Sequence, residues 1–173
     1  VAEKSPVVSD RRDFGAFCNF HQVKYAVEVG VDRGGFAKQF LDQWRGSLYY
    51  LVDNYAPLGS WAWDREPDFR SCQLWLTHHL QRVRFLKMDS HQAPAHIQRN
   101  HPLRFIYIDG DHSFGGVTAD LKVWWPKLEQ GGILAGHDWH KESVRTAVEQ
   151  FAKDRPVFFT HEKTDPSWYM FKE

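Results

Sequence analysis

Five short apolar runs in this chain end in, or are followed at once by, an acidic residue. In order the ends read Glu28–Val29–Gly30, Asp53–Asn54, Asp89–Ser90, Asp109–Gly110–Asp111–His112 and His137–Asp138. A single Asp in such a place is ordinarily a helix N-cap or a solvated turn. Several at one edge are different. Clustered carboxylates repel, so their proximity needs a bound cation, a polar ligand or hydrogen-bond donors. The turn after the first run narrows the ligand. A dinucleotide fingerprint, GxGxxG, uses its middle Gly to bring backbone against a pyrophosphate. Here Val31–Asp32 stand where that Gly would fall, and Asp32 is a poor neighbour for phosphate. Asp53, ending the second run, has the geometry to take both hydroxyls of a ribose. Ribose without pyrophosphate points to a nucleoside ligand.

The elements that position these ends follow from hydrophobic period. Lys24–Val29, Ser47–Val52, Arg82–Met88, Leu103–Ile108 and Ile133–Ala135 read as strands. Between them, Phe36, Phe40, Leu41 and Trp44 recur at helical spacing, as do Phe69, Cys72, Leu76 and His79–Leu80. Ser90–Gln98 reads as a short helix with Pro94 in its first turn. Val117, Leu121, Trp124 and Leu128 line a helix with Ser113 as N-cap and Gly131–Gly132 closing it. Val144, Ala147, Val148 and Phe151 stripe another. Val157–Thr160 and Trp168–Phe171 are final strands around an Asp165–Pro166 turn, and residues 10–20 a leading helix.

Strand and helix in alternation imply right-handed crossovers and a mostly parallel sheet. The expected fold is α/β and doubly wound (Rossmann-like), seven-stranded, with helices on both faces and the last strand pair antiparallel. Residues 1–173 read as one domain with an N-terminal helical segment over 1–22. Ligands bind such sheets beyond the carboxyl ends of the strands, where strand order reverses. The acidic ends lie there.

Lys+Arg and Asp+Glu number 22 each, which excludes a general basic field for nucleic acid. No apolar run reaches the ~20 residues of a membrane span, and Cys18 and Cys72 form no CxxC. A cytoplasmic protein is expected, with homo-oligomerisation open.

The segments Val27–Gly35 (VEVGVDRGG), Val52–Asn54, Ile108–Phe114 (IDGDHSF) and Gly131–Trp139 (GGILAGHDW) resemble class I S-adenosylmethionine-dependent methyltransferases. The resemblance is nearest to the branch of macrocin-type sugar O-methyltransferases and cephalosporin hydroxylase-like proteins, and runs from about Val23 to the C-terminus. It implies that Gly30 and Val31 approach the methionine part of the cofactor with Glu28 beneath. It further implies that Asp53, helped by Asn54, takes the ribose, and that Met88, Asp89 and Ser90 lie against the adenine. In metal-dependent relatives three oxygen ligands come from the ends of the fourth and fifth strands. Asp109, also a candidate cofactor contact, matches the first, and His137 and Asp138 match the other pair. His137 departs from the pattern, since imidazole suits zinc, iron, nickel or copper better than magnesium. A divalent metal is therefore one reading. A second base or a donor to substrate is the other for His137.

The acceptor implied is a small-molecule hydroxyl, and a hydroxyl needs a base, a metal or both. His112, just past the fourth strand, is the candidate base; a turn His capping the next helix is the plain alternative. Gly115–Gly116 reads either as a frayed first turn or as close approach of backbone to a ligand. Trp61, Trp63 and Trp139 read either as platforms for a flat or sugar-like acceptor or as loop and subunit packing. Two other functions stay open: a metal-dependent phosphoesterase, and a catalytically silent S-adenosylmethionine-binding subunit. A nicotinamide dehydrogenase is disfavoured by Val31–Asp32.

Overall fold

The computed structural model describes residues 5–57 and 64–173. Its centre is a seven-stranded sheet, with β1 (Tyr25–Val29), β2 (Leu48–Val52), β3 (Val83–Leu86), β4 (Leu103–Ile108) and β5 (Leu128–Gly136) all parallel. β6 (Phe158–Phe159) and β7 (Trp168–Phe171) complete it in the order β3-β2-β1-β4-β5-β7-β6. β7 runs antiparallel to both of its neighbours, as the missing crossover helix between the last two strands requires.

Side chains alternate along each strand, so each face collects its own core. On one face Ala26, Tyr49, Leu51, Phe105 and Tyr107 meet α1 (Phe14–Phe20), α2 (Gly35–Gln43) and α3 (Glu66–Trp75). On the other, Val27, Val29, Ile106, Ile108 and Leu134 meet α4 (Phe114–Trp124) and α5 (Glu142–Ala152). Phe36 stacks on Tyr107 at 3.9 Å and Phe40 on Phe105 at 5.1 Å, so aromatic rings fill much of the first core. The strand order reverses between β1 and β4, which opens the crevice the acidic ends share.

Several boundaries differ from the sequence reading. The helical segment expected over 1–22 is the seven-residue α1, preceded by a 3₁₀ turn at Arg11–Asp13. The Asp10 carboxylate caps that turn and fixes where it starts. α4 stops at Trp124 rather than Leu128, because Pro126 offers no N–H and its ring blocks a further α turn. Gly131–Gly132 therefore close no helix. They lie within β5, where Gly131 takes φ +71° beside a register shift against β4. The third strand ends at Leu86, since Met88 N–H turns back onto the Leu86 carbonyl at 2.9 Å. Ser90–Gln98 forms only a 3₁₀ turn over Ala93–His96, having just Ala93 and Pro94 to bury. α3 likewise gives way to a 3₁₀ stretch over Thr77–Arg82. No described helix is long and apolar enough to cross a membrane. Cys18 and Cys72 are buried and unpaired.

Candidate functional site

The carboxyl ends of β1, β2, β4 and β5, with the turn after β3, open into one cavity of about 1010 Å³. That size holds a nucleoside cofactor together with a small second ligand. Glu28, Gly30, Val31, Asp53, Asn54, Met88, Asp89, Ser90, Asp109, His112, His137 and Asp138 all line it, so the strand-end candidates from the sequence meet there.

The β1 end is shaped by close backbone approach. Gly30 has φ +85°, and a Cβ on it would collide with the Asp109 carbonyl group and lie 2.5 Å from the Gly110 nitrogen. Only glycine lets the β1 turn cross the β4 end this closely. Asp53 fixes the same turn: its Oδ2 accepts from the Val31 and Asp32 N–H groups at 3.0 and 2.9 Å. Its Oδ1 accepts from Tyr55 N–H at 2.8 Å and keeps a lone pair for a further donor. Asn54 caps its own turn by accepting from Ala56 N–H. Below Gly30, Glu28 is buried and accepts from the Tyr49 hydroxyl at 2.9 Å.

Burial pushes the Glu28 carboxyl well above the usual carboxylate range; the Tyr49 hydrogen bond opposes this, and Asp109 and Asp53 add to it. The folded state thus holds this proton more tightly than the unfolded chain. The resulting stability is fully present below the ordinary Glu value of ~4.3 and is lost as pH rises through the folded value. Glu28→Gln keeps an acceptor for Tyr49 and never ionises. It should therefore melt several degrees above the parent at pH 8, the gap closing as pH falls toward 4. Thermal melts across that range check this, and parallel curves would refute it.

At the other side of Gly30, the turn after β3 presents Met88, Asp89 and Ser90. The Ser90 hydroxyl donates to Asp120 Oδ1 at 2.5 Å, and Asp89 Oδ1 accepts from His91 N–H at 2.8 Å. Asp120 is buried in α4, and burial raises its carboxyl despite the Ser90 bond. This acid was not picked out from the sequence. The signal was there, because Asp120 falls on the stripe of Val117, Leu121 and Trp124. Gly116 packs against the Asp111 carboxylate, where a Cβ would overlap it, while Gly115 meets nothing within 4 Å. Of that pair only Gly116 is required to be small.

The β4 and β5 ends carry a connected set of ionisable groups. His112 Nε2 lies 2.7 Å from Asp138 Oδ2 and 3.4 Å from Asp109 Oδ1. His112 Nδ1 lies 2.8 Å from Lys141 Nζ, which also donates to Asp138 Oδ2 at 2.9 Å. With a charged Lys141 donating to Nδ1, this network assigns the His112 proton to Nε2. His137 Nδ1 is 3.6 Å from Asp109 Oδ1, and its Nε2 is 3.2 Å from Arg11 and 3.3 Å from Asp165. Burial of Asp109 would raise its carboxyl, but hydrogen bonds from His112 and His137 outweigh this and hold it below its ordinary value. For His137, burial works against the charged ring, and the Asp109 hydrogen bond reverses it to leave the imidazole raised. Asp138 adopts φ +58°, a left-handed conformation that Asp tolerates, and is buried.

Asp109, His137 and Asp138 place one ligand atom each within 4.8 Å of one another. Two carboxylates and an imidazole fit a borderline dication such as zinc or iron better than magnesium. Arg11, Arg65 and Lys141 also line the cavity and had no sequence signal. Arg65 is nearly buried, ion-paired with Asp32 and Asp68, and lies over the Tyr55 ring. Trp139 packs on Phe159 at 4.5 Å, so it serves the loop rather than standing free as a platform. Trp61 and Trp63 lie outside the described residues.

A family model described as a methyltransferase domain matches residues 27–139. No curated protein matches the chain in sequence. Solved structures of the same fold include an O-methyltransferase from Bacillus cereus in complex with SAH, at 14% identity and TM-score 0.68, covering 97% of this chain and 84% of that one. A methyltransferase from Geobacter sulfurreducens superposes with TM-score 0.71 at 13% identity, covering 97% and 81%. A precorrin 8w decarboxylase from Methanobacterium thermoautotrophicum gives TM-score 0.68 at 15% identity over 96% and 92%.

Proposed function

The chain belongs to the methyltransferase-domain family, and from that premise we propose that it is an S-adenosylmethionine-dependent O-methyltransferase acting on a small-molecule hydroxyl. Sugars and polyols, the acceptors of the macrocin-type branch, are preferred over catechols. The observation that carries this reading is the single cavity, which joins the ribose- and adenine-type groups at Asp53 and Met88–Ser90 to the proton-handling groups at Asp109, His112 and Asp138. A nucleoside-binding end and a base-bearing end in one cavity are what methyl transfer to a hydroxyl needs.

When bound, the cofactor supplies an activated methyl as a sulfonium. The chain then aligns the acceptor and removes its proton. Asp53 would take the ribose with its remaining Oδ1 lone pair, and Asp89 would accept from the adenine amino group. His112 accepts the acceptor proton at Nδ1 once Lys141 turns from it toward Asp138. Asp138 Oδ2 holds the Nε2–H throughout, keeps the tautomer, and stabilises the imidazolium that forms; this is the orienting role a buried Asp plays behind any catalytic His. Where a divalent cation is bound, Asp109, His137 and Asp138 would hold it and it would lower the charge cost of the alkoxide.

Titration of S-adenosylhomocysteine into the purified chain tests the reading, followed by transfer of labelled methyl from S-adenosylmethionine to a panel of sugars, polyols and catechols. Specific binding is expected, with Asp53→Ala raising Kd at least about tenfold. No binding with or without added dications would sink the methyltransferase reading. Binding with no transfer to any acceptor would favour a silent cofactor-binding subunit.

A further inference from the structure

Among the described residues, the Lys and Arg side chains that line the cavity are Arg11, Arg65 and Lys141. Arg65 pairs with Asp32 and Asp68, and Lys141 pairs with Asp138. Arg11 pairs with no carboxylate among the described residues; its Nη1 instead lies 3.2 Å from His137 Nε2. Acids stand close by, but each is committed elsewhere. Asp10 is taken by Arg12 at 2.8 Å, and Asp13 Oδ2 accepts from the Ser9 and Asp10 N–H groups at 2.9 and 3.0 Å. Glu162 Oε2 accepts from the backbone N–H of Arg11 at 3.3 Å, and from the Thr160 hydroxyl at 2.8 Å. Asp109 Oδ1 faces His112 and His137.

A guanidinium carries five N–H donors and a permanent charge. A neutral His137 takes one of those donors and removes none of the charge, and a protonated His137 adds to it. Arg11 is half-buried, so water screens it only in part. Its charge also acts on Glu28 and Tyr107, which places it over the ends of β1, β4 and β5. An uncompensated cation in an otherwise acidic wall calls for an anion brought by a ligand.

We propose that Arg11 is the carboxylate-reading residue of the cavity and holds an acid group of the bound ligand through its guanidinium fork. The planar fork matches a carboxylate in two parallel hydrogen bonds. One negative charge fits better than the two of a phosphate, because Asp109 and Asp165 flank the same His137. Two sources carry such a group: the amino-acid tail of the cofactor, and an acceptor that bears a carboxylate beside its hydroxyl. The first rests on the methyltransferase reading, and the second holds for any small acid the cavity takes. Since Arg11 opens the 3₁₀ turn before α1, the N-terminal segment becomes part of the site.

Calorimetric titration of the full chain, parent against Arg11→Met and Arg11→Lys, tests this. S-adenosylhomocysteine carries the amino-acid tail and methylthioadenosine lacks it. Arg11→Met should weaken S-adenosylhomocysteine at least about tenfold and methylthioadenosine by less than about twofold. Arg11→Lys keeps the charge without the fork and should lose less. Parallel titrations set glucuronate against glucose and protocatechuate against catechol, with S-adenosylhomocysteine present and absent. Where the acceptor is the source, Arg11→Met leaves S-adenosylhomocysteine unchanged and weakens the acid of a pair but not its neutral counterpart. A merely structural role would weaken S-adenosylhomocysteine and methylthioadenosine together. Such a parallel loss, or affinities equal to the parent's in both sets, would overturn the proposal. A parent that binds neither nucleoside sinks the methyltransferase reading instead, and the acid titrations then decide Arg11 alone.

Discussion

Gly30→Ala abolishes S-adenosylhomocysteine binding, with Kd raised by about a hundredfold or more, while Gly115→Ala leaves it unchanged. Gly30 lines the cavity and Gly115 does not, and they differ in what a methyl group would meet. At Gly30 the φ of +85° costs an L-residue ~1–2 kcal/mol by itself, and the new Cβ also lands on the Asp109 carbonyl group. Backbone cannot yield as a flexible side chain does, so the β1 turn and the β4 end must separate. That displaces Val31 and Asp32, which Asp53 holds, together with Asp109 and Gly110. The variant should lose roughly 3 kcal/mol of stability in all. Gly115 has open space and sits in the first turn of α4, where Ala is favoured by up to ~1 kcal/mol. Calorimetric titration and denaturant melts of both variants check the pair. Parent-like binding by Gly30→Ala would mean that the β1 turn does not shape the cofactor site.

Much of the architecture could be read in the chain for a local reason. Period and strand-end chemistry are local properties, and a parallel sheet turns them into a shared site through one topological rule. Asp53, Asp89 and Asp109 were visible because each follows a β-branched or aromatic run directly. Arg11 and Lys141 were not. Arg11 reaches His137 across most of the chain's length, and Lys141 meets His112 through the packing of α5 against α4. Such contacts depend on tertiary docking that no local pattern encodes. Pro126 shows the opposite failure. Its breaking effect was available in the sequence, but the apolar spacing of Leu128 outweighed it, so a strand residue was read as the end of a helix. Asp120 falls between these cases, since an acid on an apolar stripe is a signal whose partner, Ser90, only the fold supplies.

Asp138→Asn should lower methyl transfer by about 10²–10⁴-fold, in kcat rather than KM, while S-adenosylhomocysteine binds within about threefold of the parent. Asn is isosteric and tolerates the φ of +58° that Asp138 adopts, so the substitution removes charge without adding backbone strain. Its amide oxygen can still accept from His112 Nε2 and Lys141 Nζ, and its NH₂ then faces His137 and His140. What is lost is the negative charge behind His112. An imidazolium formed there has, among the described residues, Asp109 as its other acidic neighbour, whose Oδ1 is farther away at 3.4 Å. Cofactor binding survives because Asp53 and Met88–Ser90 belong to other strand ends. Asp138→Ala loses the same charge and also places a residue without a polar side chain in the left-handed region. It should therefore melt a further ~2–6 °C lower than Asp138→Asn. Activity within about fivefold of the parent in Asp138→Asn would remove His112 as the base. His137, the other imidazole at that end of the cavity, would then be the candidate base.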